Sequence, residues 1–425
     1  MNIPKYKDIR LNLHEFLMDT FYFLIATLAL VPLFKRLKLG SMLGYIVAGI
    51  LIGPMCLGLI DNSKSIVQLA ELGITLLLFI VGLELSPARL KQLRKNIILE
   101  GGLQMTLTTI IFFFIGVAFG LSYQAAFLVG AALSLSSTAF ALSHMAETSQ
   151  LTLSHGQTSL SILLFQDLLI VPLLAIIPLL ATDSSSQQVM SYSGIALKFG
   201  LFCSLILLCF FVLKPAISFI KRTQDPEISL ASFLFLMIGM AIGMEKIGLS
   251  MPMGSFITGA FLANTEIKTS IKSLTLPFKG ILMGLFFMTL GINFDFKFIA
   301  ENLQQVGLLS LGIIATKSII LTAIGRIKNG NFKSGIKVSL LISQAGEFGI
   351  VLIGSALHFN IIDTPVNKLV VTSILVTMIT APFLVRMTSL IRNSVKSEEI
   401  VPEEILDTSN VVPIKVNSNP ETKAA

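Results

Sequence analysis

Tryptophan is absent from this 425-residue chain, cysteine occurs three times, histidine four times, and only 13% of the residues are charged. The scarcity of charge excludes most. Soluble domains average roughly 25% charged residues, and a water-soluble globule of this length could not cover its surface with so few. Cys56, Cys203 and Cys209 all lie in apolar runs without CxxC or metal-ligand spacing, and read as small core residues. No phosphate loop, GxGxxG fingerprint, HExxH or nucleophile triad is present, so neither an enzyme nor a cofactor is expected. Without tryptophan, an interfacial aromatic belt falls to the five Tyr and some of the 31 Phe.

What is there is apolar: 54% of the residues are hydrophobic and the mean hydropathy is +0.84. Taken as helices of about 20 residues, the runs predict roughly thirteen spans. They fall near 15–34, 40–59, 66–85, 97–120, 123–143, 157–181, 194–213, 228–245, 250–264, 278–295, 303–325, 335–358 and 367–391. The first run has no small-residue cleavage site and flows into further spans, so it is retained. Residues 1–393 therefore read as one transmembrane domain, and the polar stretch 394–425 as a disordered cytoplasmic tail.

The net charge of +7 lies in the connections, which points to membrane orientation and away from nucleic acid. With the N-terminus outside, the inner loops hold KRLK at 35–38, RLKQLRK at 89–95, Lys221 with Arg222, and Arg326 with Lys328 and Lys333. Roughly nineteen basic residues then fall inside against about five outside, which predicts an N-terminus outside and a C-terminus in the cytoplasm; the membrane is expected to be the cell's inner (plasma) membrane.

Small polar residues interrupt two spans at matching places in the two halves: SLSSTA at 134–139 and SQAGEF at 343–348. Such paired interruptions point to inverted repeats with broken helices whose ends face a midplane site. Helix packing through small residues is the plainer alternative.

Ionisable groups within spans are costly, at least about 2.5–3.5 kcal/mol on insertion scales, and are functional candidates for that reason. Asp167 lies inside its span, beside Gln166 and ahead of Pro172. A single carboxylate that takes either a proton or a monovalent cation makes the two compete, as an antiporter requires. Lys317, also mid-span, either pairs with Asp167 or holds the broken helices together, and the structural role is preferred. Glu347 follows a glycine in the second interruption, where its charge would offset half-helix ends. Gln104 is treated as a packing residue, and Glu71 and Glu84 as span-end groups. His144 and His155 read as loop residues.

GSMLGYIVAGILIGP at 40–54, ELGITLLLFIVGLELSP at 71–87, LSSTAFAL at 135–142, LLFQDLLIVPLLAIIPLL at 163–180, GLSMPMGSFITGAFLA at 248–263 and PFKGILMGLFFMTLGI at 277–292 resemble the monovalent cation:proton antiporter-2 family. Within it they resemble the membrane domain of the glutathione-gated potassium-efflux branch. The resemblance spans about 15–390 and implies an all-α integral membrane fold of about thirteen helices, with inverted repeats and two broken crossover helices. It also implies a homodimer with a dimerisation domain and a moving, ion-carrying core.

Carried over by motif, Asp167 is the ion and proton carboxylate and Gln166 its partner. Ser136, Ser137 and Thr138 form the first crossover, Gln344 and Glu347 belong to the second, and Lys317 is the buried base. The branch's C-terminal nucleotide-binding domain is not expected here. In the cytoplasmic loop ahead of PFKG, at 266–276, Lys272, Leu274 and Leu276 stand where that branch carries acids. Glutathione and nucleotide gating are therefore not expected, and the ion stays open between K⁺ and Na⁺. The expected function is monovalent cation/H⁺ exchange, electroneutral, by alternating access around Asp167. A separately encoded regulatory subunit is one further partner. Channel-like potassium efflux without proton coupling, and an ion sensor that moves nothing, are the alternatives.

Overall fold

A computed structural model describes residues 6–37, 39–60, 64–84, 96–180, 225–247, 251–263 and 265–391, with single positions at 200, 204, 207, 211, 215 and 218. The span expected near 194–213, the loop at 85–95 and the tail at 394–425 lie outside the described residues, apart from those single positions. Every other expected span is wholly or partly helical. The described residues hold 7 helices long and apolar enough to cross a membrane, or up to 9 if two bent pairs each count as one, beside three shorter apolar helices.

The helices sort into two bodies. The first holds α1 (Tyr6–Arg36), α2 (Ser41–Ile52), α3 (Lys64–Glu84), α8 (Pro226–Lys246), α9 (Met251–Leu262) and α10 (Lys268–Ile292). The second holds α4 (Gly102–Ala118), α5 (Tyr123–Ser134), α6 (Thr138–Glu147) and α7 (Ser154–Leu180), then α12 (Leu303–Asn329), α13 (Phe332–Ile342), α14 (Glu347–His358) and α15 (Thr364–Arg386). A short α11 (Phe296–Glu301) links them.

Local chemistry sets many of these limits. Asp225 caps α8 by accepting from Glu227 N at 2.8 Å, with Pro226 at the first helical position. Asp363 caps α15 through Val366 N at 3.0 Å. Gly330, at φ 64°, ends α12 in the left-handed conformation that glycine adopts without strain.

In the first body α3 packs on α9 and α2 on α10. Both pairs rest on glycines that let backbones touch. A Cβ at Gly259 would overlap the Phe79 carbonyl and one at Gly82 the Phe256 carbonyl; likewise Gly49 meets Met288 O and Gly291 meets Ile46 O. In each pair the glycine stands three residues after the carbonyl that its partner's glycine meets. The α3–α9 contact thus repeats as α10–α2 with the order reversed, as inverted repeats require. Phe79 also stacks on Phe233 of α8, with ring centroids 5.5 Å apart.

The second body repeats too: an unbroken helix, a broken pair and another unbroken helix, first as α4, α5/α6 and α7, then as α12, α13/α14 and α15. The two bodies meet through apolar side chains, with α7 against α9 and Ser137 Oγ 3.8 Å from Met42 Sδ.

Three expectations need correction. The apolar run at 40–59 is helical only to Ile52, because Gly53 and Pro54 open a turn that ends near Gly58 at φ 58°. Cys56 lies in that turn and is exposed, so it is not a core residue; Cys203 and Cys209 lie outside the described residues. The stretch at 266–276 is not a loop: α10 begins at Lys268 and bends by 50° between Lys268–Thr275 and Gly280–Ile292, across the segment with Pro277.

Gly259→Val drives a branched side chain into the α3 backbone, an overpacking worth on the order of 1–3 kcal/mol or more. Loss of monodisperse protein on size-exclusion chromatography is the expected result. Gly239→Ala, in α8 with nothing within 4 Å of its Cβ position, should leave the profile unchanged.

Candidate ion-binding site

The second body centres on the two breaks. Between α5 and α6, Leu135 and Ser137 are extended, with φ/ψ of −67°/142° and −76°/102°. Between α13 and α14 the limbs bend by 50° around residues 343–346. The two unwound strands cross at Gly346, where a Cβ would overlap the Ser136 carbonyl. Only glycine allows that approach.

Lys317 of α12 is wholly buried and ends at this crossing. Its Nζ donates to Leu135 O at 3.0 Å, Ser136 Oγ at 2.8 Å and Gln344 O at 2.8 Å. Three acceptors saturate the three donors of an ammonium, and they come from both strands. Ser136 Oγ passes its own hydrogen to Ile342 O at 2.8 Å.

Gln166 braces the first strand from α7. Its Oε1 accepts from Ser136 N at 2.8 Å, and its Nε2 donates to Gln104 Oε1 at 2.7 Å, Ser134 O at 3.2 Å and Ser136 Oγ at 3.3 Å. Gln104 Nε2 donates in turn to Ser134 O at 3.1 Å. Gln104 is therefore more than the packing residue its sequence position suggests: it is fully buried and part of this network. An amide inside an apolar span was the available signal, since a buried amide needs partners.

Asp167 is 6% exposed and accepts from Thr138 Oγ1 at 2.9 Å. Thr138 opens α6, so the carboxylate reaches the first residue of a half-helix, whose N-terminus favours negative charge. Ser137 Oγ turns the other way, to Met42. Glu347 is buried as the first residue of α14, the same electrostatic position in the second crossover. Gln344 offers its backbone oxygen to Lys317 and its amide to Leu341 O at 3.2 Å, and its Oε1 has no hydrogen-bond partner among the described residues. Ala345 N donates to Thr377 Oγ1 of α15 at 3.1 Å.

Most of the expected residues therefore fall into two adjoining groups, outside which stand Ser137, turned to Met42, and Glu347, at the start of α14. Asp167 and Thr138 make the carboxylate site. Gln166, Ser136, Lys317 and Gln344 make the brace beneath it, and the oxygen of Gln166 is taken up by Ser136. His144 and His155 stand apart and are not loop residues: His144 lies in the last turn of α6, and His155 is buried at the start of α7, sharing a hydrogen bond with Gln150 at 3.1 Å. Among the described residues, no group of three or more His, Cys, Asp and Glu could hold a metal ion.

The family described as sodium/hydrogen exchanger, transmembrane, matches residues 23–388. The chain is 36% identical over 390 residues to the glutathione-regulated potassium-efflux system protein KefC of Escherichia coli, and equally so to that of Shigella boydii. The match covers 92% of this chain and 63% of those relatives. Among solved structures, the sodium proton antiporter MjNhaP1 from Methanocaldococcus jannaschii at pH 8 superposes with a TM-score of 0.61 at 18% identity, over 88% of this chain and 97% of that one. At that identity the likeness carries the fold: an all-helical membrane architecture with broken helices.

Lys317→Met removes the donors of Leu135 O and Gln344 O while keeping the side chain's bulk. Each buried acceptor left unmet costs about 1–3 kcal/mol. A fall of several degrees in the thermal midpoint of the detergent-solubilised protein is expected, and an unchanged midpoint would contradict the bracing role.

Proposed function

The chain belongs to the sodium/hydrogen exchanger family of multi-pass membrane transporters, and from that premise we propose that it exchanges one K⁺ or Na⁺ for one H⁺ by alternating access around Asp167. The observation that carries the reading is the buried Asp167 carboxylate at the N-terminus of the half-helix α6, within 2.9 Å of the Thr138 hydroxyl. A proton and a monovalent cation compete for such a group, so each one's binding expels the other. Asp167 and Thr138 supply hard oxygen ligands suited to an alkali cation. Gln166 holds Thr138 in place through Ser136, and Glu347 balances the second half-helix end.

The potassium-efflux relatives make K⁺ the first cation to test, and the sodium proton antiporter likeness makes Na⁺ the second. Movement is that of the second body, which carries Asp167, against the glycine-locked first body, and the apolar contact between them supports it. The basic excess of alternate loops supports an N-terminus outside and a C-terminus in the cytoplasm. The working unit is a homodimer.

A carrier loaded with one proton and a carrier loaded with one monovalent cation have equal net charge. Initial exchange rates in proteoliposomes should therefore not change with an imposed membrane potential, and a potential-dependent rate would overturn the one-for-one stoichiometry.

Asp167→Asn keeps size and hydrogen bonding but binds neither proton nor cation. Dye-reported proton flux in proteoliposomes, with K⁺, Na⁺ and choline added in turn, should show cation-dependent collapse of a pH gradient in the wild type. The variant should fold and show none. Cation flux without a proton response would favour a channel, and transport surviving in Asp167→Asn would remove the site.

A further inference from the structure

A second polar cluster, which the exchange chemistry does not use, lies where α4 begins. Residues Ile97–Gly101 form one π turn ahead of α4. Lys328, near the C-terminal end of α12, places Nζ 3.1 Å from Glu100 Oε1 and donates to Asn96 Oδ1 at 2.8 Å. The Glu100 side chain is 4% exposed and that of Lys328 40%. One turn further on is Gln104, held to Gln166 and Ser134 O as described above. On the other side, a Cβ at Gly101 would overlap Phe165, the residue before Gln166. The π turn is therefore held between α12 and α7, directly below the Gln104–Gln166 contact.

The turn's geometry accounts for the alignment. At 3.6 residues per turn, positions eight apart on a straight α-helix drift by about 80°. A π turn is wider, bonding each residue to one five away, and removes much of that drift. Asn96 and Glu100 therefore face Lys328 while Gln104 still faces Gln166. If the turn relaxed to α geometry, the Lys328 contacts and the Gln166 contact would no longer be made together.

The geometry points to Gln104 as a positioning residue of the cation site, kept in register by the Lys328–Glu100 pair through the π turn. This deepens the antiporter reading and rests on it. Gln166 holds Ser136 N with its oxygen and Gln104 with its amide. When Gln104 turns away, Gln166 loses its fixed orientation, the strand at Ser136 loosens, and Thr138, two residues on, no longer keeps its place against Asp167. The carboxylate remains able to take a proton or a cation, but the cation loses a fixed oxygen neighbour. The effect falls on the cation KM and spares the maximal rate.

The experiment measures proton-coupled K⁺ flux in proteoliposomes against K⁺ concentration, with Na⁺ in parallel, for wild type, Gln104→Met, Glu100→Gln, Lys328→Met, Lys328→Arg and Asp167→Asn. Gln104→Met keeps the volume and removes the amide, and should raise the cation KM about five- to tenfold, as expected for one lost buried hydrogen bond, with the maximal rate within about twofold. Glu100→Gln and Lys328→Met should raise it in the same direction. Lys328→Arg, which keeps the ion pair, should restore the wild-type KM. If Gln104→Met does not fold, Lys328→Met carries the test, because that side chain reaches solvent. An unchanged KM in folded Gln104→Met or Lys328→Met, or a lower maximal rate with KM unchanged, overturns the proposal and assigns the cluster to structure. Activity in Asp167→Asn overturns the antiporter reading instead, so the two failures are distinguishable.

Discussion

A helix broken inside a bilayer leaves amides and carbonyls that no water reaches, and the rest of the site depends on how these are met. Here the solution is a wholly buried ammonium. Lys317 gives one hydrogen bond to each of three oxygens, two of them backbone carbonyls from different unwound strands. Each alternative partner would satisfy less. A hydroxyl has a single donor, and an amide brings an acceptor that itself needs meeting. The ammonium is bound by the strands as much as the strands are bound by it, since a buried cation without acceptors is not tolerated. That reciprocity holds the half-helix α6 at a fixed height, and with it Thr138 against Asp167.

Beside the crossing stands the carboxylate to which the proposed exchange assigns its chemistry. Asp167 sits on an unbroken helix, α7, and meets the end of a broken one, α6. The division suits a carrier. The helix end favours negative charge on the acid, while Glu347 occupies the corresponding place at α14. A pore needs no group that must be neutralised in every cycle, whereas a carrier that moves its site through apolar surroundings does. The contact between the two bodies runs through apolar side chains and the Ser137–Met42 approach at 3.8 Å, which suits the proposed movement of a neutralised site past it.

Much of this was legible in the residues and some was not. The two polar interruptions located both breaks, and Asp167 stood out because a charge inside an apolar run has few structural excuses. Lys317 was read as a brace or as a partner of Asp167, and its three oxygen contacts fill its donors in the bracing role. Gln166 was harder. Adjacency to Asp167 suggested a shared ligand, but neighbours on a helix point about 100° apart, and the Gln166 oxygen is turned onto Ser136 N. The end of α2 at Ile52 was hidden because its apolar run continues through the Gly53–Pro54 turn, and composition does not register a turn. The π turn at Ile97–Gly101 has no residue signature, since it follows from packing against α7 and α12.

Close glycine contacts join helices in both bodies. In the first, Gly49, Gly82, Gly259 and Gly291 bring backbones into contact. Without a hydrophobic driving force between helices in lipid, such close packing is a principal source of association. Contacts of this kind have one register, because a shift by a single residue replaces each glycine with a side chain that does not fit. Helices joined in this way resist sliding along one another. The second body has such contacts too, Gly335 against Thr322 O, Gly130 against Thr109 O and Gly349 against Ala132 O, and adds to them the hydrogen bonds gathered at the crossing. With each body locked within itself, the apolar boundary between them is the surface at which the proposed movement would fall.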